Sequence, residues 1–159
     1  MASEFARLMK NAQKHAVAGS TRIKSTTTGH IYSIQAAADV DNGAIVGKGA
    51  YVAPEYYAEA AASATFAGTI IGQAANGNWY VEVTACEAGD CLVLSVPLIY
   101  EQYTTAIQAE SNFYNEKDSL MRCYELGVGD VFELSAEGFD GTPVAGKTVS
   151  VTAKKLVVA

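Results

Sequence analysis

Two histidines, three cysteines and seventeen carboxylates are the reactive side chains of this 159-residue chain, and their spacing decides which chemistries are open to it. A structural zinc site needs four nitrogen or sulfur ligands, commonly in closely spaced pairs. Cys86 and Cys91 lie near each other, but Cys123, His15 and His30 offer no second pair. Asp39-Val40-Asp41-Asn42-Gly43 has the acid spacing with which calcium loops open, yet Ala44 stands where the sixth-position glycine belongs and Ala50 where the twelfth-position acid belongs. It reads as a turn. A Ser-His-acid arrangement is not signalled, because no nucleophile elbow surrounds a serine and both histidines lie in or just after the N-terminal 29 residues, away from a rigid frame. Gly127-Val128-Gly129 lacks the Lys-Ser or Lys-Thr tail of a phosphate loop, and Gly146-Lys147-Thr148 lacks the upstream glycine. The reading predicts no enzyme, no catalytic residue, no metal and no cofactor.

The remaining reactive groups have plainer readings. Cys86 and Cys91 flank Glu87-Ala88-Gly89-Asp90 and could face each other across a hairpin, but a disulfide closing so short a loop stabilises little, and buried or half-buried thiols are preferred. Tyr56, Tyr57, Tyr80, Tyr100, Tyr103, Phe113, Tyr114 and Tyr124, with Trp79, could form a stacking face for sugars or a protein contact. Packing within the core or along strand faces is the simpler account.

Charge is unevenly spread. The net charge is −6, yet residues 1–24 hold Arg7, Lys10, Lys14, Arg22 and Lys24 against Glu4 alone, a net +4, which leaves −10 on the other 135 residues. An acidic body argues against nucleic acid as a partner, since that binding rests on neutralising phosphates. A basic arm can dock on an acidic partner, on a neighbouring copy, or stay solvated. Ser3 and Glu4 open a short amphipathic helix over residues 3–18, with Phe5, Leu8, Met9, Ala12 and Ala16 close to one stripe and Gly19 as its stop. The polar, Thr-rich stretch 20–29 reads as an extended arm or linker, and the helix either meets an apolar partner on another chain or folds back. Phe5, Arg7, Leu8, Lys10, Lys14, Arg22 and Lys24 are therefore the candidate partner-binding residues. The early charges disfavour a secretory signal, and the uncharged run 60–81 is broken by Gly68, Gly72, Gln73, Asn76, Gly77 and Asn78, so a soluble chain without a membrane span is expected.

The elements that must position these groups are strands and turns. One phrase occurs twice, 40 residues apart: Ala88-Gly89-Asp90-Cys91-Leu92-Val93-Leu94-Ser95 and Val128-Gly129-Asp130-Val131-Phe132-Glu133-Leu134-Ser135. Gly-Asp is a turn pair, and the apolar run behind it is a strand leaving the turn. Strands are predicted at 31–34, at 44–46 and 50–52 around Gly47-Lys48-Gly49, at 92–100, 120–126, 131–135, 148–152 and 156–158. A hairpin joins 66–72 to 79–84, where Trp79, Val81 and Val83 alternate with Tyr80, Glu82 and Thr84. Pro54 followed by Glu and Ala residues predicts an internal helix over 54–64, and 101–118 reads as a loop with one helical turn. Length supports one core. The predicted fold is mainly β: a single small β-barrel or β-sandwich body at 30–159, preceded by a basic arm with a short helix at 1–29.

This pattern of a basic arm, Asp41-Asn42-Gly43-Ala44-Ile45-Val46, two Gly-Asp strand starts and the ending Gly146-Lys147-Thr148-Val149-Ser150-Val151 resembles the head decoration, or cement, proteins of tailed phages. The resemblance runs from Ile31 to Val158 in style, without a diagnostic signature. It implies a non-enzymatic virion protein, made in the host cytoplasm, that sits outside an assembled capsid. There it would bind the major capsid protein, tie capsomers together and associate with copies of itself, commonly as trimers. Many such proteins are shorter and lack the N-terminal helix. A carbohydrate-binding module using the aromatic face, and a tail, baseplate or shell subunit, are the alternative readings.

Overall fold

Residues 9, 13–53, 55, 57–63, 65–96, 109–152 and 155–159 are described by the computed structural model. Along them run β1 (Ala18–Arg22), β2 (Ile31–Gln35), β3 (Ile45–Val52), β4 (Tyr57–Ala61), β5 (Ala67–Gln73) and β6 (Trp79–Ala85). After these come β7 (Asp90–Val93), β8 (Leu120–Glu125), β9 (Val131–Leu134), β10 (Phe139–Asp140), β11 (Thr148–Thr152) and β12 (Lys155–Val158). The helical elements among the described residues are the single turn Ser25–Thr28 and the 3-10 turns Glu110–Asn112 and Ala136–Gly138, and Met9 is also helical. The fold is mainly β, as expected, and it contains a closed barrel.

Two strand systems share the chain. β2, β4, β3, β7 and β8 close into a five-stranded barrel in that order. Its interior holds Ile34, Ala36, Val40, Ala44, Ala58, Cys91, Val93, Met121 and Cys123, a set weighted to small side chains that suits the narrow bore of five strands. The other seven strands form a sheet in the order β1-β9-β6-β5-β11-β12-β10, packed on Phe66, Ile70, Val81, Val83, Phe132, Leu134, Val149 and Leu156. β7 serves both cores. Every residue of it is buried, and the period-two alternation sends Cys91 and Val93 into the barrel while Leu92 joins the sheet's core.

The repeated phrase is a repeated structure. Gly89 and Gly129 both have φ of 92°, the left-handed conformation that a side chain disfavours. In the first copy the Asp90 N–H donates to the Glu87 carbonyl at 3.2 Å and the Asp90 carboxylate accepts the Glu87 N–H at 2.9 Å. In the second, the Asp130 N–H donates to the Gly127 carbonyl at 3.1 Å and its carboxylate accepts the Gly127 N–H at 2.8 Å. The closing serines match too: Ser95 Oγ accepts the Arg122 N–H at 3.1 Å and Ser135 Oγ accepts the Val17 N–H at 2.9 Å. The first turn carries the chain from the sheet (β6) to the barrel (β7), and the second from the barrel (β8) back to the sheet (β9). Because β6 pairs with β9 and β7 with β8, the two crossings lock one another.

Several local expectations are corrected. The internal helix expected over 54–64 is not formed, since residues 57–61 are β4, antiparallel to β3 and parallel to β2, with Ala58 buried in the barrel. Alanine's helical preference is small beside the pairing and burial that close a barrel. The two short strands expected around Gly47-Lys48-Gly49 are one strand, β3, with a register shift between Lys48 and Tyr51. Gly49 permits it, because a β-carbon there would sit 2.7 Å from the Glu59 carbonyl oxygen. The Thr-rich linker is β1, paired with β9, followed by the helical turn. The helix expected over 3–18 falls largely outside the described residues; Met9 is helical, residues 13–17 are not, and Ala18 already belongs to β1. The long strand expected over 92–100 is assigned only to Val93, and residues 97–100 lie outside the described set.

Asp130→Ala removes a carboxylate that is 2% exposed and strands the Gly127 N–H. It is expected to lower the unfolding free energy by about 2–3 kcal/mol. Gly129→Ala, which forces a side chain into the left-handed region, is expected to cost about 1 kcal/mol. Urea unfolding followed by Trp79 fluorescence checks both; an unchanged midpoint for Asp130→Ala would contradict the role given to the turn.

Candidate functional site

The cations singled out in the sequence fall into two groups. Phe5, Arg7, Leu8 and Lys10 lie outside the described residues, while Lys14, Arg22 and Lys24 are exposed on the segment that leads into and out of β1. Arg22 and Lys24 are brought together. With Thr21, Ile23, Thr26, Thr27, Val128, Gly129 and Asp130 they line an open groove of about 460 Å³ between the end of β1, the following helical turn and the second Gly-Asp turn.

The groove's polar groups are not equally available. Thr26 and Thr27 donate their hydroxyls back to the carbonyls of Ile23 and Lys24 at 2.7 and 2.9 Å, the local bonding that starts a short turn. The Asp130 carboxylate is buried and accepts the Gly127 N–H and, at 3.4 Å, the Lys24 backbone N–H. Neither Arg22 nor Lys24 makes an ion pair among the described residues. Val128 stands at the groove's lip at 61% exposure. Two cations without an ion pair among the described residues thus stand beside an exposed apolar side chain, a combination chemically complementary to an acidic group next to an apolar one.

A buried anchor holds this segment to the body. The His15 ring meets the Asp41 carboxylate at 2.7 Å from Nδ1, and the other carboxylate oxygen accepts the Ala16 N–H at 3.1 Å. Tyr114 stacks on the imidazole at 5.2 Å, and the His15 N–H donates to the Ser111 carbonyl at 2.6 Å. Beneath lies an amide network: Asn115 Nδ2 donates to Asn42 Oδ1 at 3.1 Å, and Asn42 in turn bonds both the N–H and the carbonyl of Ser95 at 3.0 and 2.9 Å. His15 thus clamps the chain, and the Asp-Asn-Gly turn receives it. Sequence reading assigned Asp41 and Asn42 to a turn and missed their partners, because residues 26 and 73 positions away leave no local trace.

On the barrel wall, Glu125 collects a second polar cluster. Its carboxylate takes the Tyr32 hydroxyl at 2.8 Å and lies 3.0 Å from His30 Nδ1. The Lys48 ammonium sits over the Tyr32 ring, 4.1 Å from its centre. Burial pushes the Glu125 pKa up, but the hydrogen bonds from Tyr32, His30 and the Gly89 backbone outweigh it and hold the carboxyl below its ordinary range. The same bond from Tyr32 to Glu125, with burial, raises the tyrosine's own pKa.

The three thiols are free, and Cys86 and Cys91 do not pair. Cys86 is half-buried with its Sγ 3.5 Å from the Leu126 carbonyl on the sheet side, whereas Cys91 and Cys123 point into the barrel. Burial pushes the Cys91 thiol up to about 12 and Cys123 higher still. Among the described residues no cluster of three His, Cys, Asp or Glu could hold a metal ion, and no helix is long and apolar enough to cross a membrane. The aromatics are dispersed: Trp79 and Tyr80 lie on β6, Tyr57 on β4, Tyr124 on β8 beneath Arg122, and Tyr114 is buried on His15. Tyr56, Tyr100 and Tyr103 lie outside the described residues. No protein family, curated protein or solved structure matches the chain.

Two outcomes follow from this chemistry. Ellman's reagent is expected to label Cys86 alone in the folded protein and Cys86, Cys91 and Cys123 after denaturation; rapid native labelling of a second thiol would show an open barrel. Because the folded-state pKa of Glu125 is lowered, its stabilising effect is complete above the ordinary Glu pKa of about 4.3 and is lost as pH falls through the lower folded value. The stability gap between wild type and Glu125→Gln, measured by urea unfolding, is expected to narrow in that acid range, and a gap constant from neutral pH to pH 3 would contradict it.

Proposed function

We propose that the protein is a structural component of a phage virion that binds the outside of an assembled capsid and bridges neighbouring capsomers. The supporting observation is the unpaired cations Arg22 and Lys24, with Lys14, held in fixed positions on a body that is otherwise strongly acidic. A tether that flexes loses entropy on docking, whereas Arg22 lies on a strand already paired to β9, and Lys14 and Lys24 flank that strand beside the His15 clamp and the Lys24–Asp130 backbone bond. The partner is the major capsid protein, and copies of the chain act together, so that contacts modest in themselves combine over a repeating shell. In this reading the closed barrel is a stiff wedge. Its strand edges are consumed by closure, which also removes a route to aggregation.

Truncation of residues 1–24 would delete β1 and the His15 clamp with the charges, so charge reversal is the cleaner test. The Lys14→Glu, Arg22→Glu, Lys24→Glu triple variant is expected to keep the wild-type circular dichroism spectrum and to lose about tenfold or more in binding to empty heads of the encoding virus. Cosedimentation through sucrose checks it. A wild-type protein that stays at the top of the gradient would refute the proposal.

A further inference from the structure

We infer that the groove between the end of β1 and the second Gly-Asp turn binds an extended acidic segment of a partner protein, one that alternates carboxylates with an apolar residue. This rests on the shell-binding reading and specifies the chemistry of the partner.

Three features of the groove converge on that occupant. The first is charge: residues 5–38 contain no Asp or Glu, and the one carboxylate in the groove wall, Asp130, is buried and engaged by backbone N–H groups. Arg22 and Lys24 make no ion pair among the described residues, and the groove holds two exposed cations against one buried carboxylate. The second is the lip. Val128 is 61% exposed at the tip of a turn whose backbone is fixed by the Gly127–Asp130 hydrogen bonds, so an apolar side chain can pack there without reorganising the loop. The third is the adjoining strand. β1 is the terminal strand of the seven-stranded sheet, bonded on one side to β9, and Ser20, Thr21 and Arg22 are exposed. A register shift between Ser20 and Arg22 displaces Thr21 from the ladder, and both Thr21 and Arg22 line the groove. An extended segment running along Ser20 can bond to the backbone edge that no described strand occupies and deliver a carboxylate to Arg22 and Lys24.

Cations on a terminal strand also deter strand pairing in general. Here they act selectively, excluding basic strands and second copies of this same edge while admitting acidic ones. A polyanion such as RNA would satisfy the cations but leave the exposed Val128 without an apolar partner.

The test separates this inference from the function it rests on. A short fluorescein-labelled peptide of alternating Glu and Leu or Thr residues, and its Lys counterpart, are titrated by anisotropy against wild type, Arg22→Glu/Lys24→Glu, Val128→Ser and the remote control Lys147→Glu. The Glu peptide is expected to bind wild type and Lys147→Glu alike, about tenfold more weakly to the double variant, and measurably more weakly to Val128→Ser. The Lys peptide is expected not to bind. Equal affinity for wild type and double variant, or tighter binding of a single-stranded oligonucleotide than of the Glu peptide, would overturn the groove assignment. The same panel is then sedimented with empty heads. Shell binding by wild type and double variant alike overturns the groove while leaving the function standing. Peptide binding without shell binding does the reverse. A wild-type oligomer that the double variant reduces to monomers in analytical ultracentrifugation would give the groove to a neighbouring copy and overturn the foreign partner.

Discussion

Asp90 and Asp130 each carry a carboxylate into the interior, where an ion without partners costs several kcal/mol. The cost is offset inside each turn, because the glycine before the aspartate takes a positive φ and brings the backbone N–H three residues back onto the carboxylate. A turn so closed has little freedom to open, and the strand that leaves it has a fixed direction. Everything else in the architecture follows from having two such turns, placed where the chain changes strand system. Between them Cys86 and Leu126, which occupy matching positions in the two copies, touch each other across the junction. Leu126 also donates its N–H to the Asp90 carbonyl at 2.9 Å, and Val83 donates to the Asp130 carbonyl at 2.8 Å. The exit of each crossing is thus hydrogen-bonded to the approach to the other.

This explains why a chain rich in Ala, Gly and Val can hold two cores. A five-stranded barrel of small side chains buries modest apolar area for each strand it closes, and alone it would be marginal. β7 removes that weakness by contributing alternate residues to the barrel and to the sheet, so the two cores share a wall. The N-terminal segment adds to the same junction from outside. His15 reaches the Asp41 turn, Val17 exchanges bonds with Ser135 at the end of the second repeated phrase, and the Lys24 backbone ends on Asp130. The cations are consequently held by the most constrained part of the molecule.

How much of this could be read from residues alone depended on how local the cause was. The β5–β6 hairpin announced itself, since alternation at 79–84 and an Asn-Gly turn are both short-range signals, and β5 and β6 pair as expected. The two Gly-Asp phrases were also visible as strand starts, although nothing in them says that one leads into a barrel and the other into a sheet. β4 failed for the opposite reason. Its Ala and Glu residues favour helix locally, and the strand exists because β2 and β3, at a distance in sequence, need one more strand to close. β1 failed likewise: a polar, Thr-rich strand at a sheet's end resembles a linker until its partner, more than a hundred residues later, is known. For the groove, Arg22 and Lys24 were legible as charge, while Val128 and the path of the chain beside it were not.

Placement gives those cations a meaning that composition could not. On a mobile arm, each would lose side-chain and backbone entropy on meeting a partner, and exposed ion pairs return little to set against it. At Arg22 the backbone is ordered by pairing with β9, and at Lys24 by its bond to Asp130, so on meeting a partner only the side-chain ends would remain to be fixed. If this patch docks as proposed, the long-range attraction of its positive charge is kept and the ordering cost falls on folding rather than on docking. The same contacts would also carry load: a force applied at Arg22 or Lys24 would pass through the β1–β9 pairing and the Lys24–Asp130 backbone bond toward the junction of the two cores.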